Sequence, residues 1–98
     1  DAFDSFHVDL PEVKETILMS TLQALASRHP ILRVKGFVAV TGKPMRLLVQ
    51  GVGRRFERYY DRKWAANEMR KTRLVFIGQA LDRSVVTTEL NDALTAFA

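Results

Sequence analysis

The segment with the most distinctive chemistry interleaves arginine with aromatic residues between positions 54 and 64. In an extended conformation, one side of it carries no acidic residue and consists of Arg54, Phe56, Arg58, Tyr60 and Arg62. Guanidinium groups beside aromatic rings can hold phosphates and stack on bases, and the same residue types are enriched where proteins meet. The segment is therefore interpreted as a solvated edge strand or a protein interface, with a nucleic-acid surface as a third alternative.

A second basic and aromatic group lies on segment 31–40, whose many β-branched residues predict a strand. Arg33, Lys35 and Phe37 share one parity of this segment, which predicts that they lie on the same face of a sheet. Lys35-Gly36-Phe37 also begins like the RNP1 motif of RNA-recognition modules, but the motif's later small and aromatic positions are not matched. A protein partner is favoured over nucleic acid. The predicted interface comprises Arg33, Lys35, Phe37, Arg54, Phe56, Arg58, Tyr60, Arg62 and Trp64.

The residue types that catalyse reactions or bind metals are sparse in this sequence. Neither a P-loop nor a G-x-S-x-G nucleophile motif occurs, and cysteine is absent. His7 and Asp9 fall on one side of a predicted strand, but no third ligand accompanies them, and His29 is expected to interact with the end of a helix. The sequence therefore predicts no catalytic, cofactor-binding or metal-binding residue in this chain.

The elements that position these side chains follow from hydrophobic periodicity. Strands are predicted over 6–10, 31–40, 45–52 and 73–78, and the residues expected to face inward on the second strand are Leu32, Val34, Val38 and Val40. A capping arrangement of Asp9 and Glu12 around Pro11 predicts a first helix that ends near Ser27. A second helix should follow the N-cap Asp82, with an apolar stripe of Val86, Leu90, Ala93, Leu94 and Phe97.

The order β-α-β-β-β-α predicts an α+β fold of two layers. Four mainly antiparallel strands should form one sheet, with both helices packed on one face. The other face should combine the basic residues of the second strand with apolar neighbours, which is typical of a surface where another domain docks.

The composition sets the boundaries of this interpretation. The chain has 98 residues, 47% of them hydrophobic and 27% charged, which fits one folded domain over 1–98. No apolar run approaches the roughly 20 residues of a membrane-spanning helix, and the absence of cysteine fits the cytoplasm. The net charge of +4 is concentrated in the middle of the chain, and both ends are acidic. Because the first residue is Asp1 and not Met, we expect a fragment of a longer protein.

Three runs of sequence carry a resemblance to a known family. They are segment 31–37, the segment 42–56 with its run LLVQGVGRRF, and the late run RLVFIGQ at 73–79 followed by Asp82-Arg83. Together they resemble the C-terminal domain of CobW-type cobalamin-biosynthesis proteins, in matching order over nearly the whole chain. One departure is Lys63 before Trp64, where the family pattern has proline.

The resemblance implies a non-catalytic accessory domain of a GTP-dependent metallochaperone. The parent protein would use GTP, Mg²⁺ and cobalt or zinc through an N-terminal GTPase domain, which is absent here. Expected partners are that GTPase domain in cis and a cobaltochelatase of cobalamin biosynthesis, with neither a membrane nor nucleic acid expected.

Overall fold

The computed structural model describes residues 2–96, which form two helices and five strands. The elements are β1 (Asp4–Leu10), α1 (Glu15–Arg28), β2 (Ile31–Ala39), β3 (Met45–Val52), β4 (Arg55–Lys63), β5 (Thr72–Gly78) and α2 (Arg83–Thr95). All five strands join one antiparallel sheet in the order β1-β5-β2-β3-β4. The predicted α+β fold is confirmed. The sheet has five strands and not four because the basic and aromatic segment forms the complete edge strand β4.

Alternation along the strands directs one set of side chains against the helices. This set is buried and includes Val8, Leu10, Val34, Val38, Leu47, Val49, Leu74 and Phe76. From the helices, Leu18, Leu22 and Leu25 of α1 and Val86 and Leu90 of α2 complete the core. None of the described helices is long and apolar enough to cross a membrane. The core thus lies between the helices and one face of the sheet, and no helix of residues 2–96 covers the other face.

The start of β2 departs from the predicted alternation. Leu32 was expected to face inward, but its side chain is 44% exposed and Ile31 is buried instead. The pairing of β2 with β5 shifts register between Ile31 and Arg33, because an extra residue interrupts the ladder there. Beyond this irregularity, Val34, Val38 and Val40 are buried as predicted.

The predicted capping arrangement before α1 is wrong. The helix begins at Glu15, and its N-cap Lys14 makes no side-chain capping bond. Val13 instead forms a bridge to Val40, donating its N–H to the carbonyl of Ala39 and accepting from Thr41, both at 2.9 Å. These bonds keep the chain extended past the predicted start of the helix.

The two other predicted helix ends agree with the structure. α1 stops at Arg28, immediately before His29-Pro30. At the start of α2, Oδ1 of Asp82 accepts from the backbone N–H of Val85 at 3.2 Å, as expected of an N-cap. In the predicted stripe, Val86 and Leu90 are buried, and Phe97 lies outside the described residues.

Candidate interaction surfaces

The helix-free side of the sheet forms one candidate surface, which we call the open face. Strand register places on it Arg33, Lys35 and Phe37 of β2, Leu48 and Val52 of β3, Tyr59 of β4, and Val75 and Ile77 of β5. Val52 is 60% exposed and Tyr59 is 52% exposed. The predicted mixture of basic and apolar side chains on one sheet face is therefore present.

The basic residues of the open face are free to meet an outside partner. Neither Arg33 nor Lys35 has an ion pair or a side-chain hydrogen bond within residues 2–96. They border a shallow depression whose other linings include Gln50, Val75 and Ile77. An apolar floor flanked by unpaired cations suits a partner with an apolar centre and acidic margins.

Phe37 is less available than its neighbours, because the guanidinium of Arg46 lies 4.4 Å from the centre of its ring. Arg46 is held there by Asp61, to which its Nε and Nη2 donate at 3.1 and 2.6 Å. The bonds from Arg46 lower the pKa of Asp61. The ring face that a base would stack on is occupied by this pair, so the geometry does not favour the RNP1-like interpretation.

β4 directs its aromatic residues to the helix side of the sheet. Phe56 and Tyr60 are partly buried against the core. Gly51 makes room for Phe56, since a Cβ at this position would lie 2.4 Å from Cε1 of the ring. Gly53, with φ +60°, begins the two-residue turn before β4.

Glu15 on α1 connects the first helix to β4 and was not foreseen from the sequence. Its Oε2 accepts from Nε of Arg58 at 2.5 Å, and its Oε1 accepts from the Tyr60 hydroxyl at 3.3 Å. Burial, followed by the charge of Glu15, raises the pKa of Tyr60. Arg58 is thus tied to the helix layer, and Arg54, in the turn before β4, remains unpaired within residues 2–96.

The alternation predicted for Arg62 is wrong. An extra residue at Asp61 shifts the register, so Tyr60 pairs with Leu47 and Arg62 pairs with Arg46. Arg62 donates two bonds to Glu68, at 2.8 and 2.7 Å. Together with the N–H of Ala65, this contact lowers the pKa of Glu68 to about 2.

Trp64 follows β4 and lies beneath a second arginine. The guanidinium of Arg70 is 5.9 Å from the indole centre, and Arg70 also binds Glu12 at 2.8 Å and the carbonyl of Lys43 at 2.5 Å. The indole N–H is buried and has no hydrogen-bond partner among the described residues. The predicted interface residues therefore divide between the open face, the helix side of β4 and the segment beyond β4.

The histidines take part in separate polar contacts. Asp9 accepts two bonds from Arg73, at 2.7 and 3.0 Å, which lower its pKa, and Nε2 of His7 is 4.0 Å away. His29 caps α1 with its backbone, as its N–H reaches the Leu25 carbonyl, and its Nε2 lies 2.8 Å from Glu89 of α2. Within residues 2–96, no three His, Cys, Asp or Glu side chains are grouped as metal ligands would be.

Comparison with known proteins identifies relatives of this chain. The sequence pattern described as "Cobalamin synthesis protein cobW C-terminal domain" matches residues 4–94. A protein named Zinc chaperone CobW from Pseudomonas aeruginosa is 63% identical over 90 residues, which are 92% of this chain and 24% of that protein. Zinc chaperone YjiA of Escherichia coli K12 is 40% identical over 73 residues, which are 74% of this chain and 22% of that protein.

The fold is also similar to a solved structure. The crystal structure of Zn(II)-bound YjiA GTPase from Escherichia coli superimposes with a TM-score of 0.75 at 28% identity, covering 95% of this chain and 30% of that one. The present chain spans about a quarter of the length of the curated relatives it matches. With its two helices, its five-stranded sheet and a match over residues 4–94, the chain belongs to the family of CobW C-terminal domains.

Proposed function

We propose that this chain is the non-catalytic interaction domain of a GTP-dependent metal chaperone and that its open face packs against the preceding GTPase part of the same protein. The observation that carries the proposal is the exposure of Val52 beside the unpaired cations Arg33 and Lys35, on a sheet face that no described element covers. In a two-layer fold, such a face gains stability by meeting a further layer.

The length of the relatives supports an occupant in cis. Proteins that share this domain are about four times as long as this chain, and the family is by description the C-terminal part. Contacts between domains of one chain bury mixed surfaces, more polar than those of obligate oligomers. The combination of Arg33 and Lys35 with Val75 and Ile77 is of that kind.

Nucleotide and metal belong to the preceding part in this proposal. The sequence contains no P-loop, and the described residues bring no three metal-binding side chains together. Two relatives are named zinc chaperones, so we propose zinc as the cargo of the parent protein. Cobalt delivery to a cobaltochelatase for cobalamin synthesis is the alternative. We propose the cytoplasm as the compartment, in keeping with a sequence that contains no cysteine.

Replacing apolar residues of the open face by acids tests the docking. In the full-length parent protein, Val52→Asp with Ile77→Asp would bury two carboxylates in the interface, which is unfavourable without partners. We expect the domains to separate, seen as a larger radius of gyration in small-angle X-ray scattering. The dependence of the GTP hydrolysis rate on the metal should also change.

Val85→Asp is the control for an acid placed at an exposed valine outside the open face, because Val85 is 40% exposed but lies in the helix layer on α2. This control should leave the radius of gyration unchanged. Circular dichroism of each variant in the 98-residue chain verifies that the fold is retained. Equal radii for the open-face variant and the control would contradict docking through this face.

The cargo is tested separately. Competition between Zn²⁺ and Co²⁺ for the full-length protein loaded with a GTP analogue, followed by transfer to an apo-acceptor, should favour Zn²⁺. Preferential retention of Co²⁺ and its transfer to a cobaltochelatase would favour the cobalamin alternative.

A further inference from the structure

β4 ends the sheet and offers a strand edge of nine residues. The sheet order places β3 on one side of β4, and none of residues 2–96 pairs with its other side. Val52 and Arg55 flank a two-residue turn, and such flanking residues form a hydrogen-bonded pair in an antiparallel hairpin. By alternation, Phe56, Arg58 and Tyr60 direct their backbone N–H and C=O groups away from β3, where another strand could pair with them.

The edge is strongly basic. Residues 54–63 contain five basic and two acidic side chains. Arg58 and Arg62 are bound to Glu15 and Glu68, and Asp61 is bound to Arg46. The cations left unpaired within residues 2–96 are Arg54, Arg55 and Lys63. They lie at the two ends of the strand, so a partner lying along β4 would meet positive charge at both ends.

These features distinguish among three kinds of occupant. Nucleic acid cannot complete a backbone ladder, and the rings of Phe56 and Tyr60 are turned to the core, where bases cannot stack on them. Two β4 edges from separate copies would bring like charges together. The β1 edge of a second copy is also not suited to pair with β4, because its acidic side chains are already bonded. Asp9 is held by Arg73, and Asp4 accepts from the N–H of Leu81.

We propose that the outer edge of β4 binds an extended acidic segment of another protein by β-strand addition. The ladder to Phe56, Arg58 and Tyr60 supplies affinity, and acidic side chains of the segment meet Arg54, Arg55 and Lys63. Tyr59, exposed on the open face, contacts side chains of the added strand on that side. This binding uses the backbone edge of β4, whereas docking in cis uses the side chains of the open face, and the two surfaces meet at Arg55 and Tyr59.

A labelled ten-residue peptide of alternating glutamate and valine tests the proposal on the 98-residue chain at low salt. Binding is followed by fluorescence anisotropy, and the amide resonances of β4 identify the location. The peptide should shift the signals of Phe56, Arg58 and Tyr60 and slow their hydrogen exchange. The same peptide N-methylated at alternate residues keeps its charge but cannot complete the ladder, and it should not bind.

Two double variants with equal loss of charge test the electrostatic part. Arg54→Ser with Arg55→Ser should weaken binding roughly fivefold to tenfold, as expected for two exposed ion pairs. Measured at about 0.15 M salt, Arg33→Ser with Lys35→Ser should change it less than about twofold, because exposed charges more than about 8 Å from the peptide are then screened. All four side chains lack ion pairs within residues 2–96, so neither double variant breaks an ion pair of the described fold.

Four results would overturn the proposal. The first is the absence of binding, and the second is equal binding of the N-methylated peptide. The third is equal weakening by the two double variants, which would indicate unspecific attraction to a basic surface. The fourth is displacement of the peptide by a second copy of the chain or by single-stranded RNA of matched charge, measured by light scattering and competition.

Discussion

Two arginines of the basic and aromatic segment 54–64 are each held by one carboxylate. Glu15 engages Arg58 and Tyr60 and so joins α1 to β4, and Glu68, in the loop after β4, engages Arg62. The sequence predicted that Arg58 and Tyr60 share a side but not what they touch, because pairing across distant segments leaves no local pattern. Arginines that appeared free in sequence are thus partly structural, and Arg54 and Arg55 remain available.

The contact of Glu68 predicts a specific dependence of stability on pH. Its pKa in the folded chain is about 2, below the ordinary value of 4.5, so its contribution is present above pH 4.5 and is lost as pH falls towards 2. The difference in free energy of unfolding between wild type and Glu68→Gln should be constant from pH 7 to about 5 and should close towards pH 2.

Urea unfolding at a series of pH values measures this difference. Glu57→Gln is the charge-matched control, since Glu57 lies on β4, next to the loop that carries Glu68, but has no ion pair among the described residues. A Glu68→Gln curve that stays parallel to wild type down to pH 2 would show that the bond to Arg62 does not stabilise the fold.

Gly36 provides a second prediction at the scale of one residue. A Cβ there would lie 1.9 Å from the carbonyl oxygen of Arg73 on the neighbouring strand, which is backbone and cannot rotate away. Gly36→Ala should therefore force β2 and β5 apart and destabilise the chain by about 1–3 kcal/mol or more. Gly42→Ala has open space and only the strain of φ +78°, and should cost about 1 kcal/mol. Thermal unfolding monitored by circular dichroism compares them, and a larger loss for Gly42→Ala would contradict the packing of these strands.

Strand alternation predicted most of the elements, and interruptions of alternation account for the errors. An edge strand was one interpretation of segment 54–64, and residues 55–63 form the edge strand β4. Register shifts at Ile31/Arg33 and at Asp61 redirected Leu32 and Arg62, because one extra residue reverses the faces of all that follow. Such irregularities depend on the pairing strand, which one segment alone does not specify.

β3 allows the assignment of the two sheet faces to be tested within one element. Leu47 is 1% exposed on the helix side, so Leu47→Ala should leave a cavity and cost about 2–5 kcal/mol. Val52→Ala, on the open face, should change stability by no more than about 0.5 kcal/mol. Chemical unfolding of the 98-residue chain measures both, and comparable losses would mean that the open face is part of a core.

At the scale of the whole molecule, the family could be identified from sequence runs, whereas the arrangement of its surfaces required the structure. The run at 42–56 contains β3 and the turn between β3 and β4, and the run at 73–79 contains nearly all of β5. Both runs therefore belong to the sheet that defines the domain. Arg33, Lys35 and Phe37 of β2 share one face of the sheet, as their alternation predicted, but the candidate interface residues around β4 are divided among three locations. A basic segment alone does not specify on which face of the sheet its side chains lie, or which partner they meet. Both depend on its register with a strand that is distant in sequence.

The central claim, that the open face is covered by the preceding part of the same protein, can be measured residue by residue. Methyl groups of Val52, Val75 and Ile77 should relax rapidly beside a soluble gadolinium complex in the 98-residue chain, and slowly in the full-length protein. Val85, exposed on α2, should relax rapidly in both, and Leu90, buried in the core, slowly in both. Equal relaxation of the three open-face methyl groups in the two proteins would contradict the account.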